Sequence, residues 1–279
     1  MREISAQLIA DAVARLCIKA NCHLPSDMQN YISCAKETET WPLAREILER
    51  ITENYLIAER EDVPVCQDTG MACVFLKIGQ DVHITGNLTA AVNEGVAKGY
   101  TEGYLRKSVV RDPIRRGNTG DNTPAVIYTE LVEGDQVEIT VAPKGFGSEN
   151  MSQIKMLRPS DGMEGVLDFV VKVVEEAGPN PCPPIVVGVG IGGTFEKAAY
   201  LSKVALLRQV DSRNSDPYYA ALEAELLRRI NDLGIGPQGF GGATTALAVN
   251  IETFPTHIAG LPVAVNIGCH VTRHASEVI

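Results

Sequence analysis

Apolar side chains in the first sixty residues recur at the spacing of amphipathic helices. One helix is predicted around residues 8–16, where Leu8, Ile9, Ala12, Val13 and Leu16 repeat. A second is predicted to begin at Pro25 and Ser26, with Ser26 as its N-cap. A third is predicted over residues 42–61, because Pro42 suits a first helical position. A helical portion at about residues 1–62 is therefore expected.

The pattern changes near Val63, where strand-like apolar runs begin to alternate with further helices. Glu133-Gly134-Asp135 predicts a hairpin-like turn between two of the strands. The predicted strands are 72–78, 126–131, 136–142, 185–190, 245–251 and 263–268, and the predicted helices are 88–105, 163–177, 195–208 and 217–233. The expected fold class is α/β, in the mixed α+β sense. A helical N-terminal portion precedes a mixed sheet with helices, in one domain spanning 1–279, with binding loops at strand ends.

Composition and charge exclude several classes of protein. The 279 residues are 45% hydrophobic, enough for a sizeable core, and the formal net charge is −10. An acidic balance argues against nucleic-acid binding. No apolar run is long enough to span a bilayer, and charges are spread through the first twenty residues, unlike a secretory signal. We therefore expect a cytoplasmic protein with neither a nucleic-acid nor a membrane partner.

Five of the seven cysteines fall into two groups by their surroundings. Cys17 and Cys73 fall on apolar faces and are predicted to be core residues. Cys66, Cys182 and Cys269 instead fall in loops at the ends of predicted helices or strands, where binding residues concentrate. The long gaps between them contain no CxxC signature, so spacing alone leaves open whether they share a metal site.

Several polar segments and one glycine run are further candidates. Arg106 could clamp a carboxylate with its guanidinium, and the loop 118–124 could accept an anion. His257 could act in acid–base chemistry or be structural. Glycines at 188–193 follow an apolar strand as in a dinucleotide-binding loop, but their spacing does not match GxGxxG, and no acidic residue follows at the expected distance.

Taken together, these segments resemble class I fumarases and related iron–sulfur hydro-lyases. The matching segments occur in the family's order and cover most of the chain. They are 65–70, 106–124, 144–150, 181–194, 234–239 and 257–269. Their joint occurrence is far more specific than any one of them.

The resemblance implies a [4Fe–4S] cluster held by Cys66, Cys182 and Cys269, with one iron left open to bind substrate. Cluster loss on oxidation, and hence sensitivity to oxygen, is implied too. The resemblance assigns substrate contacts to Gln67, Asp68, Arg106, Gly147 and His257, of which Asp68 and His257 would also be catalytic.

The reaction that the resemblance implies is reversible hydration of fumarate, a small dicarboxylate, to (S)-malate. Family members carry a C-terminal domain that takes the C3 proton, and this sequence ends ten residues after Cys269. We therefore expect a separate beta subunit with that domain and a higher hetero-oligomer. An L-tartrate or mesaconate-type dehydratase alpha subunit is the alternative, and a non-catalytic iron–sulfur redox sensor is the second. A nucleotide-binding module remains a third.

Overall fold

The computed structural model of the chain describes residues 1–279, which form eight helices and ten strands. The helices are α1 (Ala6–Cys22), α2 (Ser26–Thr38), α3 (Pro42–Glu61), α4 (Leu88–Glu102), α5 (Phe146–Glu149), α6 (Gly162–Ala177), α7 (Phe195–Ala205) and α8 (Pro217–Asn231). The strands are β1 (Arg2–Ser5), β2 (Met71–Gly79), β3 (Val82–Thr85), β4 (Val126–Val132), β5 (Val137–Lys144), β6 (Gln153–Leu157), β7 (Ile185–Gly192), β8 (Ala246–Phe254), β9 (Leu261–Gly268) and β10 (Ala275–Val278).

These elements form two compact units. The first unit consists of Met1–Pro25, Tyr55–Phe146 and Arg273–Ile279. The second consists of Ser26–Asn54 and Gly147–Thr272. Each unit has its own four-stranded sheet and its own apolar core.

The first unit is built on the sheet β10-β5-β2-β4, in which β2 is parallel to β4 and antiparallel to β5. Helices α1 and α4 supply the rest of its core, through buried residues such as Ile9, Val13, Val92 and Val96. Strands β1 and β3 form a separate parallel pair. The sequence enters the Cys66 segment just before β2.

The second unit is built on the sheet β6-β9-β7-β8, and all eight residues of its β7 strand are buried. Successive side chains of a strand point to opposite faces. Val187, Val189 and Ile191 belong to the core that α6 and α8 share with the sheet. Gly188 and Gly190 face the other way, where a Cβ atom would overlap carbonyl oxygens of α7. The glycine run thus allows α7 to lie directly on the sheet.

The predicted α/β class is confirmed, and so are the three N-terminal helices and the long strands and helices that follow. α3 spans Pro42–Glu61, as predicted. The hairpin at residues 133–135 is wrong: β4 and β5 are joined by that turn, but β2 lies between them in the sheet. Four short strands and the one-turn helix α5 were not predicted, since segments of four or five residues carry too little periodicity.

Candidate active site

Cys66, Gln67 and Asp68 lie in one tight turn of the first unit. The backbone N–H of Asp68 donates to the Cys66 sulfur at 3.4 Å, and the thiol donates to Gln67 Oε1 at 3.4 Å. The Asp68 carboxylate is held at both ends, because Oδ1 accepts from the Gly70 amide at 3.0 Å and Oδ2 from the Phe146 amide at 2.9 Å. A thiol and a fixed carboxylate therefore lie two residues apart in one turn.

Three buried side chains hold the backbone that follows Cys66. Arg273 Nη2 donates to the Asp68 carbonyl at 2.6 Å, and the Tyr100 hydroxyl donates to the Thr69 carbonyl at 2.7 Å. The Asn122 amide donates to the Gly70 carbonyl at 3.1 Å. Arg273, Tyr100 and Asn122 are all at most 4% exposed. A buried carbonyl needs a donor, so these three contacts fix the turn.

Arg106 begins a long polar loop in the same unit. Its carbonyl accepts from the Thr69 hydroxyl at 3.1 Å, which ties the loop to the Cys66 turn, while its side chain is exposed. The Asn122 Oδ1 atom accepts from the amides of Ser108 and Val109, at 2.7 and 3.2 Å. Because Asn122 is fully buried, its side chain supports the loop backbone and takes no part in an anion-accepting surface.

Two carboxylates within this loop are bound by the loop's own backbone. Asp112 accepts from the amides of Arg115 and Ile114, and these hydrogen bonds hold the pKa of its carboxyl below the ordinary value. Asp121 accepts from the amide and the hydroxyl of Thr123, which likewise lowers the pKa of Asp121. The loop is therefore ordered by its own polar groups.

Cys182 lies in the second unit, immediately before β7. Its side chain is exposed, and its backbone has the left-handed φ of +55°, which is uncommon outside glycine. The Cys182 amide donates to the Pro179 carbonyl at 3.0 Å, closing the turn that gives the residue this conformation. Left-handed, non-glycine residues cluster at functional sites.

Cys269 follows β9 in the same unit, and its loop is hydrogen-bonded to that of Cys182. The His270 amide donates to the Cys182 carbonyl at 3.2 Å, so the two cysteine segments are brought together. The Cys269 carbonyl accepts from both the amide and the hydroxyl of Thr272, at 2.9 and 2.7 Å. The second unit thus holds two of the three predicted cysteines in adjoining turns.

Gly147 and His257 also belong to the second unit. Gly147 is exposed in the first turn of α5, where helical N–H groups have no acceptor within the helix. His257 is exposed between β8 and β9, and its Nδ1 accepts from the Ala259 amide at 3.2 Å. The proton of the neutral imidazole is therefore assigned to Nε2, which makes that nitrogen a donor.

The other cysteines differ from these three. Cys17 and Cys73 are buried, as predicted for core residues. Burial raises the pKa of the Cys17 thiol to about 12, and burial together with the nearby Asp62 carboxylate raises that of Cys22 to about 11. Cys34 is exposed on α2. Thiolates bind metals, so Cys17 and Cys22 are poor candidate ligands.

The His, Cys, Asp and Glu side chains form no group of three or more at the spacing of a single bound metal ion. A cluster is a different case, since each cysteine of a [4Fe–4S] site binds its own iron.

No helix of the chain is both long and apolar enough to cross a membrane.

The residues that support the cysteine turns were not predicted from the sequence, namely Tyr100, Arg273, Gln238, His270 and Thr272. Each is polar and acts on a backbone carbonyl far away in the sequence or across a turn, and no local periodicity marks such a contact. The one available signal is that His270, Thr272 and Arg273 directly follow Cys269.

Similarity to one protein family and to three relatives bears on what this arrangement does. A sequence profile described as Fumarate hydratase (Fumerase) matches residues 10–278. A Methanocaldococcus jannaschii protein, whose name assigns it provisionally as an L(+)-tartrate dehydratase subunit alpha, is 45% identical over 274 residues, covering 96% of both chains. Proteins of Escherichia coli O157:H7 and K12 named L(+)-tartrate dehydratase subunit alpha are 34% and 33% identical over 97% of this chain and 90% of theirs.

The mixed fold, the turns with candidate ligands and these matches define an enzyme of the hydro-lyase class. The chain belongs to the fumarate hydratase (Fumerase) family, whose profile matches nearly its whole length.

Proposed function

We propose that the chain is the cluster-bearing alpha subunit of a fumarate hydratase, which interconverts fumarate and (S)-malate. The observation that carries this proposal is the Cys66 turn. There the Cys66 sulfur accepts a hydrogen bond from the amide of Asp68, whose carboxylate is held by two further amides. The cytoplasm, where thiols are kept reduced, is the proposed compartment.

The proposed cluster ligands are Cys66, Cys182 and Cys269. Thiols are the side chains that iron–sulfur clusters require, and the Cys66 sulfur lies in a turn where the Asp68 amide donates to it. The adjoining turns of Cys182 and Cys269 support a shared role for that pair. When bound, a [4Fe–4S] cluster with three protein ligands supplies an open iron that acts as a Lewis acid.

The remaining proposed residues bind and orient the dicarboxylate. Arg106 pairs with a substrate carboxylate through its guanidinium, for which its exposed side chain is suited. The Gly147 amide and the Gln67 side chain donate to substrate oxygens. His257 donates through Nε2 to the substrate hydroxyl or carboxylate, and Asp68 exchanges a proton at the leaving hydroxyl.

A beta subunit is the proposed partner. The relatives from M. jannaschii and E. coli are named alpha subunits, and the matches cover 90% or more of their lengths. The proposed beta subunit removes the C3 proton, which is the second half of the elimination. The complex is expected to be a higher hetero-oligomer.

L-tartrate is the second candidate substrate, and the names of these relatives favour it. Tartrate differs from malate by one extra hydroxyl group. A site that hydrogen-bonds such a group rejects a substrate lacking it strongly, whereas one methyl, as in mesaconate, is discriminated weakly. Initial rates with malate, tartrate and a C5 analogue therefore separate the candidates.

The decisive experiment uses the chain co-expressed with its beta subunit and reconstituted anaerobically with iron and sulfide. We expect iron and sulfide in equal amounts, a broad visible absorbance, and faster turnover of malate than of tartrate. Cys182→Ser should abolish the absorbance, whereas Cys34→Ser, a change at an exposed cysteine outside the site, should not. Faster turnover of tartrate would assign the second candidate. Protein without iron in every preparation would contradict both.

A further inference from the structure

The carbonyl oxygens of Cys182 and Pro183 each lie within hydrogen-bond distance of two nitrogen atoms. The Pro183 carbonyl accepts from the Gln238 amide at 2.7 Å and from Gln238 Nε2 at 2.8 Å. The Cys182 carbonyl accepts from the His270 amide at 3.2 Å and lies 3.0 Å from His270 Nδ1. Two donors on one carbonyl fix a peptide plane better than one donor does, since they restrain its rotation.

Gln238 reaches this position through an unusual backbone conformation. Its φ and ψ are +53° and +16°, in the left-handed region, within the segment Pro237–Gly239. The following Gly239 packs so closely on Pro179 that a Cβ atom there would overlap the proline ring. The side chain therefore leaves the backbone directly beside the Pro183–Pro184 peptide. Gln238 Nε2 also lies 3.3 Å from His270 Nδ1.

The Cys182 backbone needs such support. A non-glycine residue in the left-handed region is less stable there than in its ordinary conformations and persists only where its surroundings hold it. Cys182 has a φ of +55° and an exposed side chain, so packing of the thiol does not hold it. Hydrogen bonds to the neighbouring peptide planes do.

We propose that Gln238 is a positioning residue for the cluster: it clamps the Pro183–Pro184 peptide, which directly follows the Cys182–Pro183 peptide that His270 contacts, and thereby holds the Cys182 thiol in its ligand conformation. This inference rests on the proposed function, because it needs a cluster to which Cys182 is presented. Gln238 is not proposed as a cluster ligand. Its side-chain amide acts through the Pro183 carbonyl.

Two variants isolate the side-chain amide from the rest of the segment. Gln238→Met keeps the length and removes the donor, and Gln238→Glu keeps the shape and replaces the donor by a carboxylate that repels the Pro183 carbonyl. Both keep the backbone N–H bond. Gln209→Ala, at an exposed glutamine of the same unit, is the matched control.

Two rates are measured besides activity, each on the full complex. The first is loss of visible absorbance when the anaerobic holoprotein meets an iron chelator. The second is alkylation of Cys182 in the cluster-free protein, followed by mass spectrometry of its peptide. We expect chelator-driven loss to be roughly two- to tenfold faster in both variants, the factor that one ordinary hydrogen bond represents. The alkylation rate of Cys182 should change in both Gln238 variants, whereas the alkylation rate of Cys34 should stay the same.

A purely structural role for Gln238 gives a different result. It would lower the urea midpoint of the cluster-free variants while leaving both rates at the wild-type values, and that would overturn the proposal. Equal acceleration in Gln209→Ala would overturn it too. Wild-type protein that binds no cluster would instead contradict the proposed function, and the alkylation rates would still report on the clamp.

Discussion

Arg273 donates a hydrogen bond of 2.6 Å to the carbonyl oxygen of Asp68, 205 residues earlier in the chain. Arg273 Nε donates at the same time to the Asn21 side chain at 3.2 Å, and the Asn21 carbonyl accepts from the amide of Val65. The Cys66 turn is thus bracketed on both sides by one buried arginine and its partner. Because Arg273 is 4% exposed, no solvent replaces these contacts.

Arg273→Lys is expected to destabilise the protein although it keeps the charge. A lysine ammonium lacks the planar fork that reaches two acceptors, so one of the two bonds is lost. Hydrogen bonds to charged groups are worth about 1.5–3 kcal/mol each, and the expected loss in urea unfolding free energy lies in that range. Arg15→Ala is the control, because its exposed pair with Glu277 should contribute at most about 1 kcal/mol. Equal losses of unfolding free energy in the two variants would contradict the stabilising role of the buried Arg273 contacts.

Asn122→Ala should destabilise the 106–124 loop far more than Asn118→Ala. The buried Asn122 side chain satisfies two amides and the Gly70 carbonyl, and a buried group left without a partner costs about 1–3 kcal/mol. Asn118 bonds the same loop from an exposed position, where water can replace it. Urea unfolding measures the difference, and limited proteolysis should cut the loop first in Asn122→Ala. Similar urea midpoints in the two variants would show that the buried contacts of Asn122 stabilise the loop no more than the exposed contacts of Asn118 do.

The local pattern of apolar residues determined how much of the fold could be predicted from the sequence. Helices α1, α3 and α6 and strands β2, β7 and β9 carry enough periodic apolar positions to be identified without the structure. The prediction of a β4–β5 hairpin was wrong because a turn signal indicates that the chain reverses. It does not indicate whether another strand lies between the two strands that the turn joins.

The residues of the candidate site likewise divide into those that the sequence indicates and those that only the structure shows. The cysteines and their polar neighbours could be named because they stand in distinctive loop segments, and their ligand and substrate roles stay predictions. Arg273, Asn122 and Gln238 act on distant carbonyls, so only the folded chain shows what they support. Asn122 lay inside a predicted anion-binding loop, yet its amide faces the protein's own backbone.

Thiol reactivity should separate the buried cysteines from those in the loops. With the pKa of Cys17 at about 12 and that of Cys22 at about 11, both stay protonated at pH values near 8, and the thiolate is the nucleophile. In the cluster-free native protein, iodoacetamide should therefore label Cys182 and the exposed Cys34 first. Peptide mapping after short exposure reports the order, and unfolding in urea should make all seven react. Early labelling of Cys17 would contradict its buried position.

The 106–124 loop should loosen in acid. The carboxyl pKa of Asp121 is lower in the folded loop than in the unfolded chain, because Thr123 donates to the ionised form. A lowered folded pKa gives stability that is present above the unfolded value of about 4 and is lost as the pH falls through the folded value. Hydrogen exchange at the Thr123 amide should thus be slow near neutrality, after correction for intrinsic rates, and faster in acid. Asp121→Asn should remove that pH dependence, whereas protection in wild type that persists in strong acid would contradict it.

Gly190→Ala tests the role of the glycine run in β7. A methyl group there would overlap the Ala198 carbonyl of α7, and overpacking a well-packed core costs about 1–3 kcal/mol. Gly117→Ala is the matched control, since nothing lies within 4 Å of a Cβ atom at that position. We expect a clear loss of urea midpoint for the first variant and almost none for the second. A different result would contradict this role, namely a Gly190→Ala variant that keeps full stability but binds a nucleotide more weakly than wild type does. The glycine run would then be a nucleotide-binding loop, and packing of α7 on the sheet would not be the reason for its glycines.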